Sequence, residues 1–238
     1  MAGLARWIRM ALSLMLVLGA AAESVNAQGI FGPGASFFGA GVSGIGTGNL
    51  DDRLAARGYP SFGRTATGVN IGTYHILPSG LTVGGEWHGL IIGDAVHQGR
   101  DVGIGGGYGT IGLGYMLELS RRTRVYPRLG LGGGGMGLWF ESDSVVNFDD
   151  VLADPKPVPD SDREPVLSRV SVVMDLGMGA EFLPAGFGRG LMVGLRFGYL
   201  VTPSSTNWQL YDHDVIGGPS VRLGGPYIRA VIGVGSRR

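Results

Sequence analysis

The chain has 238 residues, no cysteine, and 19 basic against 19 acidic residues, so its formal net charge is zero. Disulfides and thiolate metal sites are excluded, and a nucleic-acid partner is disfavoured because phosphate binding draws on a cationic surplus. Charged residues make up 16% of the chain, against about 25% in soluble domains, and Lys156 is the sole lysine.

Residues 1–27 read as a secretory signal. Arg6 and Arg9 form a basic start, Met10 to Ala22 an apolar run, and Val25-Asn26-Ala27 a small-x-small cleavage site before Gln28. The apolar run is short for a permanent anchor. Residues 28–238 are then the mature, exported domain. After the signal no apolar run reaches the length of a spanning helix, yet mean hydropathy is +0.21. In lipid every backbone N–H and C=O must be paired within the protein, which only helices and closed barrels achieve. Forty-six glycines weaken any helix. The expected fold is all-β: an eight-stranded antiparallel up-and-down transmembrane β-barrel.

In chain order, strands are expected at 35–46, 64–77, 81–93, 106–119, 124–140, 166–183, 190–202 and 225–235. Tight turns separate some of them: Pro78-Ser79-Gly80, Ser120-Arg121-Arg122-Thr123 and Pro184 to Arg189. Long connections at 47–63, 94–105, 141–165 and 203–224 separate the others. Strict alternation of long and short connections, with both ends periplasmic, is the layout of an outer-membrane barrel. Ten strands remain an alternative if 141–165 or 203–224 pairs as a hairpin.

Period-2 patterning supports the strands. On the sixth, Val170, Val172, Met174, Leu176, Met178, Ala180 and Phe182 oppose Ser171, Asp175, Gly177, Gly179 and Glu181. The third sets Leu81, Val83, Trp87 and Ile91 against Thr82, Glu86 and His88, and the fourth sets Ile111, Leu113, Tyr115 and Leu117 against Thr110, Gly112, Gly114 and Glu118. On the seventh, Leu191, Val193, Leu195, Phe197 and Tyr199 oppose Gly194, Arg196 and Gly198. A polar face of glycine with one or two charges per strand suits a narrow, filled lumen. Trp139 and Phe140 are expected at the outer interface, and Phe37, Phe38, Tyr126 and Phe182 in a girdle at the periplasmic one.

The inward charges are the candidate site: Glu86, Glu118, Asp175 and Glu181 against Arg128, Arg196 and Arg229. Isolated charges in a narrow lumen are costly, so these are expected to pair and plug the barrel. An ion or proton path, or a gated pore, is the alternative. Gly107-Tyr-Gly109-Thr-Ile-Gly112 and Gly130-Leu-Gly132-Gly-Gly-Gly135 match a nucleotide-loop pattern but open no helix, and no cofactor is expected. The loop 141–165 is acidic, and Asp160-x-Asp162-x-Glu164 lacks the calcium-loop spacing. It reads as a solvated excursion, with a divalent-ion contact to neighbouring lipopolysaccharide as the alternative.

This layout resembles the small outer-membrane barrel superfamily, that of the outer membrane protein A transmembrane domain and its single-domain relatives. The resemblance spans about residues 35–235. It implies insertion by the barrel assembly machinery, contact with outer-membrane lipids and lipopolysaccharide, and roles in envelope integrity or surface interaction. Two departures stand out. The chain ends Ile232 to Arg238 with no terminal aromatic, and no peptidoglycan-binding domain follows. Lipid A-modifying barrels place histidine and serine together. Here His75, His88, His97 and His213 lack the deacylase spacing, and only His213, with Ser204, Ser205 and Ser220, resembles the loop residues of palmitoyltransferase barrels. The leading expectation is a monomeric, non-enzymatic barrel of the outer membrane. A passive pore, a lipid A-modifying enzyme and a soluble exported β protein are the alternatives.

Overall fold

The computed structural model describes residues 33–97, 100–142, 167–184, 190–210 and 213–235. The expected signal segment and the acidic loop from residue 143 onward lie outside the described residues. Eight long strands make the barrel: β1 (Gly34–Gly44), β2 (Thr65–Ile76), β3 (Leu81–His97), β4 (Arg100–Tyr115), β5 (Thr123–Ser142), β6 (Leu167–Phe182), β7 (Leu191–Ser205) and β8 (Gly225–Gly235). Each pairs antiparallel with its sequence neighbour. β8 returns to β1 in the register Ala35↔Gly235 to Ser43↔Tyr227, which closes the barrel and leaves no edge along the wall. The eight-stranded up-and-down architecture read from the alternation is the one observed.

Parity sorts the side chains as a two-faced strand requires. Leu131, Ile111, Trp87, Val170, Leu195, Ile228 and Val234 all point outward and are exposed, Ile111 at 74% and Leu131 at 59%. An apolar band of this extent around the whole wall is incompatible with water as its solvent and matches the lipid-facing band of a transmembrane barrel. Inside, the lumen is layered. Toward the periplasmic turns Phe37, Tyr74, Ile76, Met116, Tyr126 and Met192 pack together. Toward the outer loops Leu90, Ile92, Ile104, Met136, Leu138 and Val173 form a larger cluster. The tight turn at 78–80 depends on Gly80, whose φ of 90° an L side chain rarely adopts.

Three expectations need correction. Residues 94–105 are not a long loop, because β3 and β4 run on, past a bulge between Ile91 and Gly93, to the pair His97↔Arg100. Phe37 and Tyr126 are not girdle residues; both share parity with inward positions and are buried in the lumen. Glu118 has inward parity, opposite Arg124, but is not enclosed by the lumen. It sits with Leu117 in a short bridge to β5, and both residues are exposed. The cause is geometric: β3 begins at Leu81, opposite Tyr115, so no wall remains beside residue 118 to enclose it.

The outer end is built from the first and last long connections. The helix α1 (Leu50–Ala55) buries Leu50 and Leu54, and a small hairpin of Trp208–Leu210 and His213–Val215 latches onto β6 through Leu167↔Leu210. That hairpin lies outside the closed circuit, so the barrel keeps eight strands.

Candidate functional site

Between the two apolar layers the lumen carries a ladder of alternating charge. Glu86, on β3, is its hub. Its Oε1 accepts from Arg128 Nη1 at 2.5 Å and also from Arg196 Nη1, while its Oε2 lies 3.3 Å from His88 Nε2. Arg128, on β5, also reaches Asp175 Oδ2 on β6 at 3.2 Å. Arg196 reaches Glu181 Oε1 at 3.5 Å and stacks its guanidinium 3.7 Å above the Phe37 ring.

Tyrosine hydroxyls donate to both oxygens of Glu181 and to one of Asp175. Glu181 accepts from Tyr74 at 2.5 Å and from Tyr126 at 2.7 Å. Asp175 accepts from Tyr227 at 2.6 Å. Arg229 lies 3.8 Å above the Tyr227 ring and donates to the Tyr108 hydroxyl at 2.5 Å. The chain Arg229–Tyr227–Asp175–Arg128–Glu86–Arg196–Glu181 is thus continuous across the lumen. Buried charges persist only when paired and hydrogen-bonded in this way.

Of the seven residues expected in the lumen, six belong to this ladder. Arg229 joins it through aromatic rings, with no carboxylate in ion-pair reach among the described residues. Glu118 stands apart at the periplasmic rim. Sequence reasoning missed Tyr74, Tyr108, Tyr126 and Tyr227, although the signal was present: Tyr126 and Tyr227 lie two residues from Arg128 and Arg229, hence on the same face.

Inward glycines make the room. A Cβ on Gly179 would strike the Tyr126 ring, and one on Gly177 would strike the Tyr227 hydroxyl. Gly177→Ala is therefore expected to push Tyr227 off Asp175 and cost about 1–3 kcal/mol by overpacking. Chemical unfolding of the refolded barrel would measure this.

Above the ladder the described rim segments are cross-tied by hydrogen bonds. Arg169 donates to the carbonyls of Thr206 and Val221, both at 2.9 Å, and to the Ser205 hydroxyl. Arg53 donates to the Gly217 carbonyl at 2.5 Å, and Asn49 Oδ1 accepts from the Ser220 N–H at 3.0 Å. Beneath them Leu50, Leu54, Trp208, Val221 and Leu223 join the outer apolar cluster. Of the residues weighed as a hydrolytic group, Ser205 and Ser220 are engaged in these rim contacts. His213 is exposed in the outer hairpin.

No family model and no curated protein matches the sequence. Similarity appears among solved structures. Neisserial surface protein A (NspA) aligns at 8% identity over 85% of this chain and 96% of its own, with a TM-score of 0.50. Ail, the attachment invasion locus protein of Yersinia pestis, aligns at 16% identity over 88% of this chain and 100% of its own, with a TM-score of 0.45. Its complex with the heparin analogue sucrose octasulfate aligns at 15% identity with the same coverage and TM-score. The wall, its closure and the NspA superposition together give this chain the fold of the small eight-stranded outer-membrane β-barrels.

Proposed function

We propose that this protein resides in the outer membrane as a closed, non-conducting, monomeric barrel, exported behind a cleaved signal peptide. It serves envelope integrity or surface contact rather than transport or catalysis. The observation that carries the reading is the occupied lumen: an Arg–carboxylate ladder held between two apolar layers, with a cavity of about 30 Å³ beside Glu86, Arg128 and Arg196. An eight-stranded barrel is just wide enough for side chains to fill, and here they do so with mutually neutralising charges. The apolar band would be covered by outer-membrane lipids and lipopolysaccharide, with insertion performed by the barrel assembly machinery. The outer end, where α1 and the small hairpin lock together, is the part left to meet a partner. A surface role agrees with the name of the neisserial protein that shares the fold.

The test joins two measurements on protein refolded in detergent. A β-rich circular dichroism spectrum and a gel mobility that shifts on boiling are expected for a closed, detergent-resistant barrel. In planar bilayers the same preparation is expected to give no steady ohmic steps. Reproducible single-channel conductance would overturn the plug and leave a passive pore.

A further inference from the structure

The ladder leaves Glu86 Oε2, Asp175 Oδ2 and Arg196 Nε without a hydrogen-bond partner among the described residues, and beside it lies a second set of unmatched buried polar atoms. Asn70, His88 and Tyr108 are cross-strand neighbours on β2, β3 and β4. All three side chains are turned into the lumen, with exposures of 2%, 1% and 0%. The His88 ring stacks on Tyr108 at 4.2 Å between centroids, and Arg229, 4% exposed, brings its Nη2 to the Tyr108 hydroxyl. The four side chains therefore crowd one stretch of the lumen. Gly39 and Gly41 let the group pack closely against β1: a Cβ on Gly39 would collide with Asn70 Oδ1, and one on Gly41 would press on Arg229 Cγ.

Within this group Asn70 Oδ1, Asn70 Nδ2, both ring nitrogens of His88 and Arg229 Nη1 have no hydrogen-bond partner among the described residues, although His88 Nε2 lies 3.3 Å from Glu86 Oε2. Native interiors leave very few such atoms unmatched, and each costs about 1–3 kcal/mol when it finds nothing. The unmatched atoms include both donors and an acceptor. A bound anion would serve Arg229 and the Asn70 amide N–H but would repel Asn70 Oδ1. The ladder's own charge gives no reason for one either, since Arg128, Arg196 and Arg229 are matched in number by Glu86, Asp175 and Glu181, and a fourth buried arginine, Arg124, lies at the other end of the lumen opposite Glu181. Water alone, as donor and acceptor at once, fits every member.

We infer that the lumen contains an internal hydration site, a small cluster of bound water held by Asn70, His88 and Arg229 and sealed between the two apolar layers. Buried waters of this kind make two to four bonds to otherwise unmatched groups. The inference concerns the interior of the closed barrel, whose closure the conductance measurement tests separately.

Two experiments decide it. A crystal structure of the refolded wild-type protein, fine enough to show ordered solvent, is expected to have discrete density within hydrogen-bond distance of Asn70 Nδ2 and Arg229 Nη1. A dry site would overturn the inference, and so would an anomalous peak there after a bromide soak, which would mark an anion. The second experiment is Asn70→Leu, a change of similar volume. A hydrated Asn70 is bonded, so Leu forfeits those bonds and the urea unfolding midpoint in lipid vesicles falls. In a dry lumen Asn70 is desolvated for nothing, so Leu relieves it and the midpoint rises, which would sink the inference. Should Asn70→Leu fail to fold, the wild-type density decides alone.

Discussion

Glu86→Gln is expected to destabilise the refolded barrel by about 3–5 kcal/mol, the cost of removing one partner from a buried ion pair. Glutamine keeps the volume and one carbonyl acceptor, so no cavity opens and the loss is one of charge. Two guanidiniums, those of Arg128 and Arg196, now share the Oε1 of Glu86. Without that charge, Arg128 retains Asp175, and Arg196 retains the longer 3.5 Å contact to Glu181 and the Phe37 ring. Equilibrium unfolding by urea in lipid vesicles, followed by tryptophan fluorescence, reads the loss. Glu118→Gln is the matched control. The same chemical change at an exposed rim position should stay within about 0.5 kcal/mol. Equal effects at both positions would mean that the ladder contributes no more than any surface carboxylate.

That contrast also marks where parity counting in the sequence succeeds and where it fails. Counting by twos puts Glu86, Arg128, Asp175, Glu181, Arg196 and Arg229 on the inward face, and each lies where both neighbouring strands continue past it. Glu118 has the right parity and the wrong height, since inwardness needs a wall on either side as well as a strand. Phe37 and Tyr126 failed for the opposite reason. Aromatics near strand ends suggest an interfacial girdle, but their parity matched the lumen, and a guanidinium 3.7 Å from Phe37 gives that ring an inward role.

The hairpin at 94–105 was obscured by Gly103 and Gly105, which read as loop because glycine packs poorly in strands. In the fold Gly103 and Gly105 lie under the indole of Trp139, which no β-carbon would permit at residue 103. Such strand glycines are explained by a partner 36 residues away in the chain, and local pattern cannot supply it. The small Trp208–Leu210 hairpin was illegible for a related reason. Three-residue strands are held by docking, here to β6 and through the Trp208 indole N–H to the Pro219 carbonyl at 2.5 Å, and not by their own pattern.

The solvent of the outer wall can itself be read by substitution. Leu131 lies on β5 midway between Val125 near the periplasmic turn and Trp139 near the outer rim, and it points away from the lumen at 59% exposure. In a water-soluble barrel Leu131→Arg would replace an exposed apolar side chain by an exposed charged one, and stability would change by about 0.5 kcal/mol or less. In a bilayer the same arginine sits near the hydrocarbon midplane and costs about 2–4 kcal/mol, falling to about 0–1 kcal/mol near an interface. Ser36→Arg supplies the interfacial case, because Ser36 is outward and exposed near the periplasmic end of β1. The expected result is a large loss for Leu131→Arg and a small one for Ser36→Arg, measured by urea unfolding in vesicles. A dependence on depth is the signature that distinguishes lipid from water. Two equally mild effects would require the apolar band to face something other than a membrane, and no interior packing argument would restore that reading, since neither side chain touches the lumen.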